Sequence, residues 1–288
     1  MRYALSNWIY GEEPLRHTFE RLERFGYEGI ELVGEPERYP ISEVRKLSDE
    51  FGVQVTSVLG WCIAGIPGRD LASPDEAERA AAVRYGEACV DFAQAVGAPI
   101  VVLIPAPAGR VAPSGEPGEE QTWNAGYRSE WGYAVDSVRK AATYAATRNI
   151  TVGLEPINRY ETYLVNSLSQ ALSFIDDVGA DNLKLHLDTF HMGIEEPNLA
   201  EAMRRAGESL VNLHVSDSNR EAPGRGHTDF LGLLQALREI NYQGALTLEP
   251  VPPGSNPLLT TQMSANMRLR DIYAEEGINY LKQLEQQL

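Results

Sequence analysis

Short apolar runs alternate with amphipathic stretches along the chain. The runs occupy 2–7 (RYALSN), 29–34 (GIELVG), 54–60 (QVTSVLG), 99–105 (PIVVLIP), 151–157 (TVGLEPI), 183–189 (LKLHLDT), 210–217 (LVNLHVSD) and 244–250 (GALTLEP). Their length and their richness in Val, Ile and Leu predict parallel strands covered by helices. Between them the period becomes helical. In 229–242, Phe230, Leu233, Leu234, Leu237 and Ile240 share one face behind the candidate N-cap Asp229. In 14–26, Leu15, Phe19, Leu22 and Phe25 do the same and stop at Gly26. Further helices are predicted at 41–52, 75–97, 127–149, 167–179, 198–209 and 264–286. Eight βα units in unbroken order predict an α/β chain, a single (β/α)8 TIM barrel occupying 1–288 as one domain. A doubly wound open sheet would place a glycine-rich phosphate turn after its first strand, and ALSNWIYGEEP has none.

Composition narrows the class of function. The formal net charge is −16, a surface that repels phosphate backbones, so nucleic acid is not an expected partner. No apolar run is long enough to span a membrane. The opening MRYALSNWIYGEEP lacks the layout of a secretion signal. Cys62 and Cys89 are too few for a disulfide framework and suit a reducing cytoplasm.

Polar residues at strand ends carry the candidate chemistry. The fifth run holds Glu155, the sixth ends near Asp188, the seventh carries His214 and the eighth holds Glu249. Each has a plainer reading alone: a glutamate before proline can be a solvated rim residue, and Asp188 can cap the helical turn from Thr189. His186 reads as a packed, hydrogen-bonded core histidine. Four such residues on consecutive strands, however, point to one shared site at the catalytic rim. Three carboxylates and an imidazole suit a divalent ion, Mn²⁺ first, with Co²⁺ or Mg²⁺ as alternatives. Without a cation the carboxylates would raise one another's pKa. Glu161 and Arg220 follow Glu155 and His214 by six residues, and His191 follows Asp188 by three. These offsets place them in loops above the rim, within reach of a small polyhydroxylated substrate.

LEPINRYETYLVNS, LDTFHMGIEE, HVSDSNR and the last LEP together resemble the ketose 3-epimerases of the xylose-isomerase-like barrels, those that interconvert sugars such as D-tagatose, D-psicose and L-ribulose. The resemblance runs over nearly the whole chain. It implies that Glu155, Asp188, His214 and Glu249 are metal ligands, that Glu155 and Glu249 are the acid/base pair, and that Glu161, His191 and Arg220 contact the substrate, which the lack of a glycine-rich phosphate cradle or Lys/Arg cluster in the sequence expects to be a free sugar. It also implies a homodimer or homotetramer. A metal acting as Lewis acid would stabilise an ene-diolate, while one carboxylate takes the C3 proton and the other returns a proton to the opposite face.

Two segments depart from that pattern. GRGHTDF after Arg220 resembles broader sugar-isomerase and inositol-pathway relatives. The Pro/Gly-rich segment 105–126 is long, and it is expected to wall or partly cover the pocket, with Trp123 against one sugar face. Competing functions on the same metal site are an aldose–ketose or hydroxypyruvate isomerase and an inosose isomerase or dehydratase, which a panel of ketoses, aldoses and inososes would separate. A metal-dependent endonuclease would need more histidines and a basic face. A non-catalytic sugar sensor would not need both Glu155 and Glu249.

Overall fold

The predicted strands form where apolar runs meet proline or glycine boundaries. The computed structural model describes residues 1–114, 120–254 and 266–288, and of 120–122 the backbone only. Its strands are β1 (Arg2–Ser6), β2 (Gly29–Val33), β3 (Gln54–Leu59), β4 (Ile100–Leu103), β5 (Thr151–Leu154), β6 (Leu183–Asp188), β7 (Leu210–Val215) and β8 (Ala245–Leu248). They close in sequence order into a parallel barrel, β8 pairing with β1 through Tyr3 opposite Leu246. The run 99–105 shortens to Ile100–Leu103 because prolines at both ends lack a backbone donor.

Helices cover the outside. They are α1 (Leu15–Phe25), α2 (Ile41–Phe51), α3 (Glu76–Val96), α4 (Glu120–Ala146), α5 (Leu168–Val178), α6 (Thr189–Glu195), α7 (Leu199–Ala206), α8 (Phe230–Glu239) and α9 (Met267–Glu285). Gly26 ends α1 in the left-handed region, at φ 77°. Asp75 caps α3 through the N–H of Ala77, and Ser167 with Gln170 forms a capping box on α5. α4 begins well before the expected 127. Its early turns carry Trp123, Tyr127 and Trp131 at four-residue spacing, and this aromatic stripe packs on Tyr163 and Phe174. No described helix is long and apolar enough to cross a membrane.

The barrel interior is not wholly apolar. Ser6, Glu31, Ser57, Asn212 and Thr247 are all fully buried inside it. Ser57 Oγ donates to Glu31 at 2.7 Å, Asn212 Nδ2 reaches Glu31 at 3.4 Å, and Thr247 donates to Asn212 at 3.3 Å. Barrel interiors are normally filled by branched apolar side chains, so this polar layer asks for an explanation at the mouth above it.

Candidate active site

Glu155 and Glu249 stand one residue beyond β5 and β8, and each precedes a proline. The proline holds the preceding residue extended, so the strand direction continues to the rim. The Glu155 N–H bonds Leu103 O and the Glu249 N–H bonds Val215 O, both at 3.0 Å, extending the ladders. Asp188 and His214 are register partners at the tops of β6 and β7. All four side chains are buried.

The two glutamates converge on His214. Its Nδ1 lies 3.5 Å from Glu155 Oε1 and 3.5 Å from Glu249 Oε2. Its Nε2 is 2.7 Å from Glu31, the buried carboxylate of β2. Glu31 was not singled out in the sequence, although a carboxylate inside the run GIELVG was a visible signal. Asp188 divides its oxygens: Oδ1 caps α6 through the Phe190 N–H at 2.7 Å, while Oδ2 is buried without a hydrogen-bond partner. The capping reading of Asp188 is therefore found in the structure, with its second oxygen left out of the cap. Trp8, in the 3-10 turn after β1, donates its indole N–H to Glu249, a contact not anticipated from sequence.

Burial raises the pKa of Glu155, Asp188 and Glu249, the last pushed up to about 7. Burial would depress His214, but the carboxylates of Glu249 and Glu31 push it well above its ordinary value. For Glu31 the charge of His214 and the hydroxyls of Ser57 and Ser6 outweigh burial and hold its pKa down. Burial, with Arg220 nearby, holds His191 well below its ordinary range, so its ring is neutral. His186 is packed edge-on against His214, with ring centres 4.0 Å apart, but its two nitrogens have no hydrogen-bond partner among the described residues. The expectation of a hydrogen-bonded core histidine is therefore corrected in that respect: the burial is found, the hydrogen bond is not.

The donor set fits a divalent cation. Crowded oxygens with raised pKa values, the orphan Asp188 Oδ2 and the outward-facing His214 Nδ1 are the features a cation would relieve. Among the described residues, candidate ligand atoms gather within 4.8 Å in three overlapping groups: Glu155–His186–His214, Glu31–His214–Glu249 and Glu155–Asp188–His191. The four predicted ligands are spread over these groups and are not gathered in any one of them.

Glu161, His191 and Arg220, expected on the substrate side, also meet here. Arg220, at φ 62° in the left-handed region, is a strained non-glycine residue of the loop after β7. Its guanidinium lies between Phe190 and Trp8, 4.8 and 5.7 Å from their ring centres. It reaches Glu161 and Glu249 at 3.4 Å each. Asn158, unremarked in the sequence, touches both His191 and Glu161. A cavity of about 540 Å³ opens above, with Glu155, Glu161, His191, His214, Arg220 and Glu249 on its polar wall. Trp8, Trp61, Ile104 and Ile157 form the apolar side.

From the long segment 105–126, Ala108 and Gly109 line this cavity. Trp123 does not. It lies on α4, 44% exposed and edge-on to Tyr163. The expectation that it covers a sugar face is corrected: its place in the α4 stripe turns the ring onto a helix-flanking aromatic. The portion 115–119 lies outside the described residues, as does 255–260 of the segment after β8.

Comparison with known proteins supplies the family. The sequence profile described as the xylose isomerase-like TIM barrel matches residues 19–283. A D-psicose 3-epimerase of Enterocloster bolteae is 44% identical over 117 residues, 41% of this chain and 39% of that protein. The chain thus aligns with about two fifths of that relative's length. The 3-dehydro-D-guloside 4-epimerase of Escherichia coli is 30% identical over 257 residues, covering 86% of this chain and 92% of that one. The solved D-allulose 3-epimerase of a Methylomonas species superposes with a TM-score of 0.83 at 26% identity, over 98% of this chain and 96% of that one.

Proposed function

The chain belongs to the xylose isomerase-like TIM-barrel family, and on that premise we propose that it is a metal-dependent ketose 3-epimerase acting on free ketoses. One observation carries this reading. Two buried carboxylates, Glu155 and Glu249, from strands that are not neighbours in the barrel, flank the same imidazole nitrogen at 3.5 Å each on the wall of one cavity. Two carboxylates on different sides of a substrate are what inversion at a carbon beside a carbonyl requires.

Glu155, Asp188, His214 and Glu249 would hold the divalent ion, Mn²⁺ by preference, whose Lewis acidity would polarise the carbonyl and stabilise the ene-diolate charge. The chain's own residues divide the remaining work. One of Glu155 and Glu249 removes the C3 proton, and the other delivers a proton to the opposite face; the reverse reaction exchanges their roles. Arg220 and Glu161 grip neighbouring hydroxyls, and His191 faces the oxygen on which charge develops. Trp8 holds the Glu249 carboxylate in place. Trp61, Ile104 and Ile157 keep bulk water from the carbanionic carbon. Among the described residues of the cavity wall Arg220 is the one arginine or lysine, which favours an unphosphorylated sugar.

The similarity to a 4-epimerase over a longer alignment supports a second reading, proton exchange at C4 of a keto-sugar by the same pair. The test is a panel of ketoses, aldoses and inososes in D₂O with and without Mn²⁺. Deuterium at C3 of a ketose supports the proposal. Deuterium at C4 selects the second reading, and deuterium at C1 alone selects an aldose–ketose isomerase.

A further inference from the structure

The described cavity wall holds two histidines, His191 and His214, and the groups around the candidate cation position leave open which of them ligates. Ligand atoms of Glu155, Asp188 and His191 lie as close together as those around His214. An imidazole nitrogen ligates only through a free lone pair, and a neutral ring has one such nitrogen. The tautomer therefore decides, and the partner of the other nitrogen sets the tautomer.

Asn158 settles this for His191. Asn158 is buried, 1% exposed. Its Oδ1 accepts the backbone N–H of Tyr160 at 3.0 Å. Its Nδ2 lies 3.0 Å from Glu161 Oε1 and 2.8 Å from His191 Nδ1. Turning the amide over would set Oδ1 against the Glu161 carboxylate and Nδ2 against the Tyr160 N–H, two mismatches at once, so the orientation is fixed. The two Nδ2 hydrogens then go to Glu161 and to His191 Nδ1. The Asn158 backbone N–H also points at Nδ1, at 3.4 Å. With donors directed at it from both the side chain and the backbone, Nδ1 can only accept, and the single ring hydrogen resides on Nε2. That edge lies in the cavity wall, 3.6 Å from Asp188 Oδ2, beyond hydrogen-bond reach.

We propose that Asn158 is a positioning residue that fixes His191 as its Nε2–H tautomer, so that His191 meets the substrate as a hydrogen-bond donor and does not ligate the metal. His214 carries the opposite lock: its Nε2 hydrogen goes to Glu31 at 2.7 Å, so the nitrogen that would give up its proton to a cation is Nδ1, which faces Glu155 and Glu249. One family of outer partners, a carboxylate for one ring and an amide for the other, thus sorts ligand from donor. The donor role rests on the epimerase reading above; the tautomer does not.

The experiment is ¹⁵N NMR of the imidazoles in the full chain, without metal and with diamagnetic Mg²⁺, using a His191→Asn sample to assign the His191 signals. The expected result is an Nε2–H pattern for His191 in both states, with Mg²⁺ shifting Nδ1 of His214 and leaving Nε2 of His191 protonated. Asn158→Asp offers Nδ1 an acceptor and should switch His191 to the Nδ1–H form. In that variant kcat should fall about 100-fold, the size of effect seen when an oxyanion donor is lost, while KM changes by less than about threefold and Mg²⁺ affinity by less than about threefold by calorimetry, since no proposed ligand is altered. An Nδ1–H pattern in the unaltered protein, or loss of the Nε2 proton on adding Mg²⁺, overturns the proposal. So does an Asn158→Asp protein that keeps the original pattern; if that variant does not fold, the unaltered spectrum still decides. Expected tautomers without turnover of any sugar would refute the epimerase reading and leave the tautomer assignment standing.

Discussion

Glu155→Gln and Glu249→Gln remove a proton acceptor while keeping shape, so each should lower kcat by about 10³-fold with a much smaller change in substrate binding. Stopped-flow or discontinuous assays of C3 inversion, beside calorimetric sugar binding, measure both halves; a variant that retains most of its turnover would remove that glutamate from the acid/base pair. Glu31 acts one layer deeper. It does not line the cavity itself but accepts from His214 Nε2 and gathers Ser57 and Asn212 around itself. Glu31→Gln should weaken metal binding about 10–100-fold, as for other residues that orient metal-bound histidines, with unfolding otherwise little changed; unaltered metal affinity would assign the polar layer a purely structural role. At this scale the sequence was legible where polarity interrupted an apolar run at its end, as at Asp188 and His214. It was silent where a residue acts through another: Glu31 and Asn158 show their purpose only once the barrel brings β2 to β7 and the β5 loop to α6.

The loops above the barrel are tied to one another by ion pairs and short bridges. Arg110, from the loop after β4, donates to Asp70 of the β3 loop at 2.6 Å, to Ser114 at 3.0 Å and to Glu130 on α4. Ile63 pairs with Ala108, and Arg110 with Thr162, as isolated parallel bridges. Arg110→Met would leave Asp70 and Glu130 unpaired in poorly solvated positions, at a cost of about 3 kcal/mol, and would loosen the wall formed by Ala108 and Gly109. Urea unfolding should register the first effect, and a raised KM at unchanged metal affinity the second. The β7 loop has its own organiser. The Asp217 carboxylate takes the N–H groups of Ser218, Gly224 and Thr228 at 2.7–3.0 Å and so fixes the turn that presents Arg220. Burial opposes its charge, but the backbone N–H groups of Thr228, Gly226 and Ser218 hold its pKa below the ordinary carboxylate value. Its stabilising contribution is therefore complete above the unfolded pKa, about 4, and disappears as pH falls through the lower folded value. Asp217→Asn should lower the Tm at pH 7, with the gap to the parent narrowing as the pH drops below about 4; a gap independent of pH would contradict this. Helix and strand existence was readable from periodicity, whereas α4 was foreseen too short because glycines and prolines before it masked the Trp123–Tyr127–Trp131 spacing.

For the molecule as a whole, chelation is the broadest test. Removing divalent ions should abolish turnover, and Mn²⁺ or Co²⁺ should restore it better than Ca²⁺, which prefers more ligands at longer distances; full activity in a preparation shown by elemental analysis to be metal-free would contradict this. The barrel class was legible because eight runs repeat without interruption, and the strand order in space follows their order in the chain. Closure by β1 against β8 has a consequence in time. Leu5 meets Leu248 across some two hundred and forty intervening residues, a contact whose loop entropy must be met before any pairing repays it. Glu249 follows directly on that last strand, and its indole partner Trp8 follows the first. During synthesis on the ribosome, the earliest and latest parts of this stretch must therefore both have emerged before the mouth exists. Until then the growing chain carries its acidic side chains scattered along its length, and the convergence of Glu155, His214, Glu249 and Trp8 arrives with the closing of the ring.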